Sequence, residues 1–515
     1  MKKLISIFIA LCVVMANPFS FSVFAENEIK TITANRSNGD TGYDILYKST
    51  NRWSEVIQSY IFQDKDNEFS VFDVGYDGIN VDTYDMSYKQ IRTKSIPMEL
   101  ELFGGFYSGE NYNYIVFGQE NMEEDDSKEV IRVVKYDKSF KRISACAVTD
   151  CYTTIPFDAG SLRMAEYGSE LTIHTTRQRY LTPDDGLRHQ SQLTIVLDTN
   201  TMKVTNQLVP FQNNHVSHSF NQFVQYYNGK SILIDHGDAY PRAVVLNKCR
   251  GNYNRYEAIK LFQMPGDIGA NCTGITVGGF EISKNNFIVA INTIDHNKAT
   301  DYDSFRIYGL DKDERNIMLL ISDHSNTDTN KVKKVYLTDY IGKNKLASTP
   351  YLVKLSDERF MVMWEEFEYS SNRGVKDNGV KFIIVDEDGK AIYTTKEDKS
   401  AVLSSDCQPT RIGNNIVWYR NTSNKRIFYI IDLDKDKQQD TSANDGDVNG
   451  DGRVTALDNA YLARYLAKWT GYDETNVNLI AADTNGDGKV TALDNAVLAR
   501  YLAKWTGYDT LPYVK

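Results

Sequence analysis

Short apolar runs separated by polar turns fill the chain from Glu26 to about Leu433, and few of them repeat with helical spacing. Aromatic residues are frequent, with 33 Tyr and 23 Phe in the whole chain. Short strands rich in aromatic and β-branched residues, with turn residues between them, are typical of all-β proteins. The pattern therefore predicts an all-β domain over residues 26–433.

One unit recurs along this segment: a first strand, a polar crossing, a second strand ending in an apolar residue and Asp, a tight turn and a return strand. The predicted first strands are FSVFDVG from Phe69, YIVFGQE from Tyr114, LTIHTT from Leu171, SILIDHG from Ser231, FIVAIN from Phe287, RFMVMWEE from Arg359 and NIVWYRN from Asn415. Hairpins that recur at intervals of several tens of residues are typical of propeller blades. We therefore predict a seven-bladed β-propeller. A large β-sandwich or a β-helix is the alternative, because no WD dipeptide, kelch glycine pair or Asp-box anchors the period.

The last part of the chain has a different, helical pattern. A charged stretch at 434–444 is predicted to be a linker, and two near-identical segments follow, DVNGDGRVTALD from Asp447 and DTNGDGKVTALD from Asp483. Each runs into ALDNA(Y/V)LARYL, whose leucines recur at helical spacing. Thr455 and Thr491 stand where N-caps are expected. One helix is therefore predicted after each loop, with Leu462, Leu466, Leu498 and Leu502 on the buried faces.

The twelve residues of each loop have the composition of a calcium chelator. Such a loop supplies oxygen donors at alternate positions and at its last position, with Gly at the sharp turn. Hard oxygen donors without Cys or His favour calcium over a transition metal. We expect two calcium ions, one in each loop. The predicted ligands are Asp447, Asn449, Asp451, Arg453 through its carbonyl, Thr455 and Asp458 in the first loop, and Asp483, Asn485, Asp487, Lys489 through its carbonyl, Thr491 and Asp494 in the second.

The two loops are EF-hand-like but depart from an ordinary EF-hand. Both end in Asp rather than Glu, and the polar residues before Asp447 do not predict an entering helix. A loop followed by one helix, duplicated over residues 445–515, resembles the type I dockerin domain of cellulosome components. The resemblance implies calcium-dependent binding to a cohesin domain of a scaffoldin, and work outside the cell on plant cell-wall polysaccharide. The alternative is a calcium-stabilised tail without a partner.

The resemblance also implies which residues contact cohesin. These positions are repeated in both copies although calcium binding does not require them, which argues against the tail without a partner. They are Ala456, Leu457, Arg464 and Lys468 in the first repeat, and Ala492, Leu493, Arg500 and Lys504 in the second. Because the two faces are nearly the same, either is expected to bind. Ala-Leu in place of a Ser-Thr pair predicts a different cohesin preference.

Length, charge and the amino terminus refine this picture. A chain of 515 residues exceeds what one core usually organises, so at least two domains are expected. Lys2 and Lys3 precede an apolar run and the small residue Ala25, which predicts a signal peptide over residues 1–25 and a soluble, secreted protein. Leu11 disfavours a lipoprotein site at Cys12. The net charge of −11 gives no support for binding to nucleic acid or to an anionic membrane.

Histidines concentrate in one part of the predicted β domain, beside acidic residues and arginines. They are His174, His189, His215, His218 and His236, with Arg177, Arg179, Asp235, Asp238 and Arg242 around them. Such a set can abstract a sugar proton and neutralise a uronate, as a polysaccharide lyase requires. The candidate catalytic residues are His174, His218, His236, Asp238 and Arg242.

Other roles remain open for these and neighbouring residues. His215 and His218 could bind a metal with a carboxylate, and lone histidines often make structural hydrogen bonds. A glycoside hydrolase would need two facing carboxylates among Asp73, Asp77, Glu365 and Glu366. Trp364 and Trp418 could stack on sugars. The β domain is therefore expected to act on plant polysaccharide as a glycoside hydrolase or lyase, or to be a non-catalytic carbohydrate- or protein-binding module.

Overall fold

The computed structural model describes residues 29–36, 55–65, 67–75, 78–207, 216–250, 256–370, 374–394, 398–422, 425–433, 446–450, 453–472, 477–487 and 489–511. Strands run from Ile29 to Asp432, and helices lie between Ala456 and Leu502. The predicted signal peptide and linker fall outside the described residues. Within them, no helix combines the length and apolar character that a membrane crossing requires.

Five separate antiparallel sheets have four or five strands each and form the blades of a propeller arrangement. The first two sheets contain β2 (Ser59–Lys65), β3 (Glu68–Gly75), β4 (Gly78–Asp85) and β5 (Gln90–Ile96), and then β6 (Leu102–Ser108), β7 (Asn113–Gly118), β8 (Ile131–Tyr136) and β9 (Arg142–Val148). Two later sheets contain β19 (Ile275–Ile282), β20 (Asn286–Thr293), β23 (Asn316–Asp323) and β24 (Lys333–Tyr336), and then β25 (Lys345–Ala347), β26 (Tyr351–Lys354), β27 (Arg359–Tyr369), β28 (Val375–Asp386) and β29 (Ala391–Thr394). The fifth contains β30 (Thr410–Ile412), β31 (Asn415–Asn421), β32 (Lys425–Asp432) and β1 (Ile29–Asn35).

One larger sheet has nine strands. They are β10 (Thr153–Pro156), β11 (Arg163–Tyr167), β12 (Glu170–Leu181), β13 (Arg188–Asp198), β14 (Lys203–Gln207), β15 (Ser217–Tyr227), β16 (Lys230–Ala239), β17 (Ala243–Cys249) and β18 (Tyr256–Gln263). The pair Ser191–Ser217 joins β13 to β15 and so links two consecutive sets of strands. Seven separate blades are therefore not confirmed: five sheets stand alone, and this sixth sheet is continuous. A short hairpin, β21 (Asp301–Tyr302) with β22 (Ile307–Tyr308), lies between β20 and β23.

Apolar side chains fill the spaces between consecutive sheets. Phe72 of β3 stacks on Phe106 of β6 at 4.2 Å between ring centroids, and clusters of the same kind lie between later sheets. β1 closes the ring by pairing with β32 from Ile29–Ile431 to Asn35–Lys425. Pairing between the first and last strands fits a propeller, and the antiparallel pairing of the described strands argues against a β-helix.

The seven runs predicted as first strands are all strands, but each is the second strand of its set. Another strand precedes each of them, such as β6 before β7 and β19 before β20. These preceding strands touch one another across the sheets: Asn221 of β15 donates to the carbonyl of Val277 in β19 at 2.7 Å. Adjacent glycines interrupt the apolar pattern of two of them, β6 and β19. A Cβ on Gly278 would lie 1.6 Å from the Pro350 carbonyl oxygen, so the neighbouring backbone occupies the side-chain position.

The carboxy-terminal repeats form helices as predicted. Helix α1 spans Ala456–Leu466 and α3 spans Ala492–Leu502, while a short helix α2 (Leu479–Ala482) leads into the second loop. The hydroxyls of Thr455 and Thr491 accept hydrogen bonds from the helix backbone, which confirms both N-caps. Leu462 and Leu498 are fully buried in the small core that joins the repeats, and Leu466 and Leu502 pack against it.

Candidate functional site

The last acidic residue of each loop is buried and also caps the helix that follows. Asp458 accepts hydrogen bonds from the backbone N–H groups of Asn449 at 3.0 Å and Thr455 at 2.7 Å. Asp494 repeats this with Asn485 at 3.2 Å and Thr491 at 2.8 Å. Both carboxylates are 0% exposed. Each one therefore ties the start of its loop to the start of its helix.

Other loop side chains also turn toward the loop interior. Oδ1 of Asp447 accepts the N–H of Gly450 at 3.0 Å. In the second loop the N–H of Asp487 donates to Asp483 at 3.1 Å and to the side-chain oxygen of Asn485 at 2.9 Å. Asp451, Gly452 and Gly488 lie outside the described residues.

The chemistry of the described donors fits calcium. Every donor is a hard oxygen. Within the described residues neither Asp458 nor Asp494 has a cationic partner, although burial of an uncompensated carboxylate is costly. A bound cation would offset that cost. In the part of the chain described, no three His, Cys, Asp or Glu side chains already lie close enough to share a metal.

The residues predicted to contact cohesin differ in their solvent exposure. Leu457 and Leu493 are 48% and 55% exposed, and Ala456, Ala492, Lys468 and Lys504 are exposed as well. Arg464 and Arg500 are only partly exposed. The guanidinium of Arg464 donates to the Tyr472 hydroxyl at 2.6 Å, and that of Arg500 to Tyr508 at 2.7 Å.

In the β domain, two candidate catalytic histidines are buried. His174 of β12 is 0% exposed, and its ring nitrogens lie 3.0 Å from Thr194 Oγ1 and 3.2 Å from Asp235 Oδ2. His236 of β16 is 1% exposed and pairs with Thr273 at 2.9 Å. Burial, together with the positive charge of Arg242 and Arg315, lowers the pKa of His236 to about 3. Both rings lie on the second strands of their sets; His174 bonds to two neighbouring strands, and His236 bonds to the loop before β19.

The candidate arginine and the other members of the cluster are also engaged in local contacts. Arg242 donates to the backbone carbonyls of Pro265, Ala270 and Cys272. His189 lies 2.6 Å from Asp185 within its own turn. Arg177 is fully buried and Arg179 is nearly so. His215 lies outside the described residues, so the predicted His215–His218 metal pair has no described geometry.

His218 and Asp238 are brought together on an accessible edge. The two residues face each other where β15 begins and β16 ends, and Nδ1 of His218 lies 3.1 Å from Oδ1 of Asp238. The His218 side chain is 30% exposed and its φ of 51° is left-handed, whereas Asp238 is completely buried. The two atoms are close but not aligned for a hydrogen bond: within the described chain, neither Asp238 oxygen forms one. Burial raises the pKa of nearby Asp158, and the charge of His218 opposes that rise.

The other candidate carboxylates belong to separate local networks. Asp73 of β3 pairs with buried Arg426 of β32. Glu366 of β27 accepts from Lys345 at 2.6 Å and Lys381 at 3.0 Å, and its pKa falls to about 2 because these hydrogen bonds outweigh burial. Glu365 accepts the backbone N–H of Leu403 at 3.0 Å. Asp77 lies outside the described residues. Trp364 and Trp418 are buried, so neither presents a face to a sugar in this conformation.

Two exposed aromatic side chains, which the sequence analysis did not single out, lie in loops that are linked to the end of β16. Tyr240 is 71% exposed just after β16, and Phe305 is 92% exposed in the β21–β22 hairpin. Their loops are connected, since Gly269 donates to the Asp238 carbonyl at 3.2 Å and Cys272 to the Asp303 carbonyl at 3.1 Å. We call Tyr240, Phe305, His218 and Asp238 the aromatic edge. Exposed aromatics in loops carry no periodic signal, which is why the pattern of strands did not reveal them.

Two cavities lie elsewhere on the β domain. One of about 520 Å³ is lined by residues of three sheets, including Asp64, Glu110, Lys138 and Arg411. Both of its cations are already engaged, because Lys138 lies 2.8 Å from Asp64 and Arg411 donates to the carbonyls of Leu355 and Gly413. The other, of about 270 Å³, includes Asp295, Lys298 and Glu314. Neither cavity contains a candidate catalytic residue.

Comparison with known families identifies the carboxy-terminal part. Residues 445–503 match the Dockerin type I domain family, so this part of the chain is a type I dockerin. Such domains generally bind calcium and dock onto cohesins in cellulosomes. The match confirms the resemblance drawn from the loops and does not extend to the β domain.

No curated protein matches the chain significantly. The N-terminal domain of Nup159 is 11% identical, with a TM-score of 0.39 over 79% of this chain and 96% of its own. The Pan2 WD40 domain of Neurospora crassa is 10% identical, with a TM-score of 0.39 over 72% and 89%. An α-L-arabinanase of Penicillium chrysogenum is 11% identical, with a TM-score of 0.31 over 53% and 94%. At these low scores the likenesses carry no argument about function.

Proposed function

We propose that this protein is a secreted cellulosome component that docks onto a scaffoldin cohesin and brings a polysaccharide-active or polysaccharide-binding β domain to the plant cell wall. The observation that carries the proposal is the type I dockerin at residues 445–503. Polysaccharide breakdown is the work of the assemblies to which dockerins belong, so the β domain is assigned a carbohydrate ligand.

Two calcium ions hold the two docking faces in shape. Asp447, Asn449, Asp451, Arg453, Thr455 and Asp458 hold one ion, and Asp483, Asn485, Asp487, Lys489, Thr491 and Asp494 hold the other. When bound, each ion supplies positive charge at the start of a helix. The buried capping carboxylates Asp458 and Asp494 support this assignment, because each lies in the same first helical turn as the exposed Ala-Leu pair.

Docking is tested with the full chain and a panel of purified type I cohesin domains. We expect binding to at least one cohesin in calcium and none after chelation. Asp447→Ala or Asp483→Ala alone should leave binding in place, because the other repeat still presents its face. The double variant should lose binding. Undiminished affinity of the double variant would contradict the calcium-dependent docking.

The aromatic edge is the proposed polysaccharide-facing surface of the β domain. Tyr240 and Phe305 offer flat apolar faces on which sugar rings stack. The partly exposed His218 adds an imidazole that can hydrogen-bond to a sugar hydroxyl, and the buried Asp238 lies behind it.

Catalysis and plain binding make different predictions for this surface. The full chain is incubated with pectins, xylans and glucans, and reducing ends, unsaturated uronates and retention on insoluble polysaccharide are measured. Retention without product, lost in Tyr240→Ala/Phe305→Ala, supports the non-catalytic carbohydrate-binding module. Product formation that is lost in His218→Ala supports the glycoside hydrolase or lyase. Exposed Tyr336→Ala is the matched control. No retention and no product on any polysaccharide would remove the carbohydrate role and favour a protein-binding module.

A further inference from the structure

Each dockerin repeat ends in an exposed tryptophan that neither calcium binding nor helix packing explains. Trp469 is 60% exposed and Trp505 is 57% exposed. Both follow the helix end within the same sequence, AKWTGYD. Exposed tryptophans are rare on surfaces that meet only water, and they are enriched at the centres of interfaces.

The same side chains hold both tryptophans in place. The guanidinium of Arg464 lies 5.7 Å from the ring of Trp469 and 5.1 Å from that of Tyr472. In the second repeat Arg500 lies 5.6 Å from Trp505 and 5.2 Å from Tyr508. A cation in contact with an aromatic face stabilises the ring electrostatically.

The backbone fixes the same turn in both copies. The N–H of Trp469 donates to the Arg464 carbonyl at 3.0 Å, and the N–H of Tyr472 donates to the Trp469 carbonyl at 3.1 Å. Lys468 adopts a left-handed φ of 56° and Gly471 one of 84°. The chain therefore reverses after the helix, and the tyrosine returns to bond the arginine. We call each set of arginine, tryptophan and tyrosine an aromatic clamp.

The clamp continues the face that carries the Ala-Leu pair. Seven residues separate Leu457 from Arg464, which is about two helical turns, so both lie on one side of α1. Leu493 and Arg500 have the same relation in α3. The exposed leucine thus lies in the first turn of each helix and the exposed tryptophan lies just beyond the helix end, against the arginine on the leucine's side.

We propose that Trp469 and Trp505 are anchor residues for cohesin, and that Arg464 and Arg500 position them. This inference rests on the proposed docking function and names further residues of that interface. The arginines are already bonded to tyrosine hydroxyls and lie against aromatic rings, so their role is to present the indole. A flat apolar plateau on the cohesin, able to accept a leucine and an indole from one helix, is the expected partner surface.

The test uses full-length protein in calcium and, from a panel of type I cohesins, the one that the unmodified chain binds most tightly. Trp469→Ala or Trp505→Ala alone should change affinity by about twofold or less, because the other clamp remains. The double variant should weaken binding by roughly 30-fold or more, as for the loss of an interface anchor. Thr470→Ala/Thr506→Ala, exposed in the same turns, is the matched control and should bind as the unmodified chain does.

A spectroscopic measurement separates anchoring from a structural role. The fluorescence of Trp469 and Trp505 is obtained by subtracting the emission spectrum of the double tryptophan variant from that of the unmodified chain. This difference spectrum should shift to shorter wavelength when cohesin is added. Arg464→Met/Arg500→Met should reduce both this shift and the affinity, while leaving calcium binding by titration calorimetry unchanged. Unaltered affinity in Trp469→Ala/Trp505→Ala would overturn the inference and leave the docking function intact. Failure of the unmodified chain to bind any cohesin would overturn the docking function, and this inference with it.

Discussion

Arg426 forms a buried ion pair with Asp73 across the junction that closes the ring of sheets. Arg426 lies on β32, beside the amino-terminal strand, whereas Asp73 lies on β3 of the next sheet. Asp82 is 3.1 Å from the same guanidinium, and the Tyr419 hydroxyl donates to Asp73 at 2.7 Å. The carboxylates raise the pKa of Arg426 against the effect of burial. Asp73 therefore links the first and last sheets at the point where the ring closes.

Replacing Arg426 with Met should destabilise the β domain strongly. The change leaves two carboxylates buried without their cation, which typically costs about 3–5 kcal/mol. Lys30→Met, which removes an exposed ion pair of 3.7 Å with Asp432 in the same sheet, should cost less than about 1 kcal/mol. Urea denaturation followed by tyrosine and tryptophan fluorescence measures both. Equal losses in the two variants would show that the buried pair does not contribute to closure.

Replacing Lys468 and Lys504 with Gly should stabilise the dockerin and weaken docking. Both lysines adopt left-handed backbone, with φ of 56° and 53°, a conformation that costs a residue with a side chain about 1 kcal/mol relative to Gly. The melting temperature of the calcium-loaded dockerin should therefore rise. Cohesin affinity should fall, because the exposed lysines belong to the proposed docking faces. A rise in stability with unchanged affinity would argue against cohesin contact by these lysines.

Acid should destabilise the β domain partly through His236. Its pKa is about 3 in the folded protein and 6.5 as an ordinary His, so the unfolded chain binds the extra proton between these values. The contribution of neutral His236 to the free energy of unfolding is therefore fully present above pH 6.5. As the pH decreases from there, this contribution is lost, by at most about 1.4 kcal/mol per pH unit. His236→Gln should reduce that slope in denaturation curves measured from pH 7 to pH 5. The control is His189→Gln, since His189 is partly exposed at the start of β13.

Removal of calcium should loosen the two dockerin helices. Asp458 and Asp494 are buried and cap α1 and α3, so chelation leaves each as an uncompensated buried charge. Circular dichroism should show loss of helix on chelation and recovery on adding calcium back. Asp494→Ala should remove one of two calcium sites in titration calorimetry, with exposed Thr506→Ala as a control outside the loops. Two full sites in the Asp494→Ala variant would contradict the ligand assignment.

Local rules determined the dockerin almost completely from sequence. Calcium loops place donors at fixed spacings, and Thr455 and Thr491 start helices by bonding their own backbone, so the relevant contacts span only a few residues. The strands of the β domain were likewise predicted, since apolar runs such as those at Tyr114 and Phe287 became β7 and β20. In β6 and β19, adjacent glycines interrupt the apolar pattern of the first strand, so the second strand of those sheets was taken for the first.

Only the tertiary structure decided what the β domain's polar residues do, because their partners lie far away in the chain. His174 meets Asp235 and Asp73 meets Arg426, while His218 and Asp238 face each other at an open edge. It also decided that five blades stand as separate sheets, since one pair at Ser191 and Ser217 joins two sets of strands. The two dockerin repeats could be predicted from sequence because their loop and cap contacts join residues that are close in the chain. A ring of sheets depends on pairings between distant segments, which no local pattern encodes.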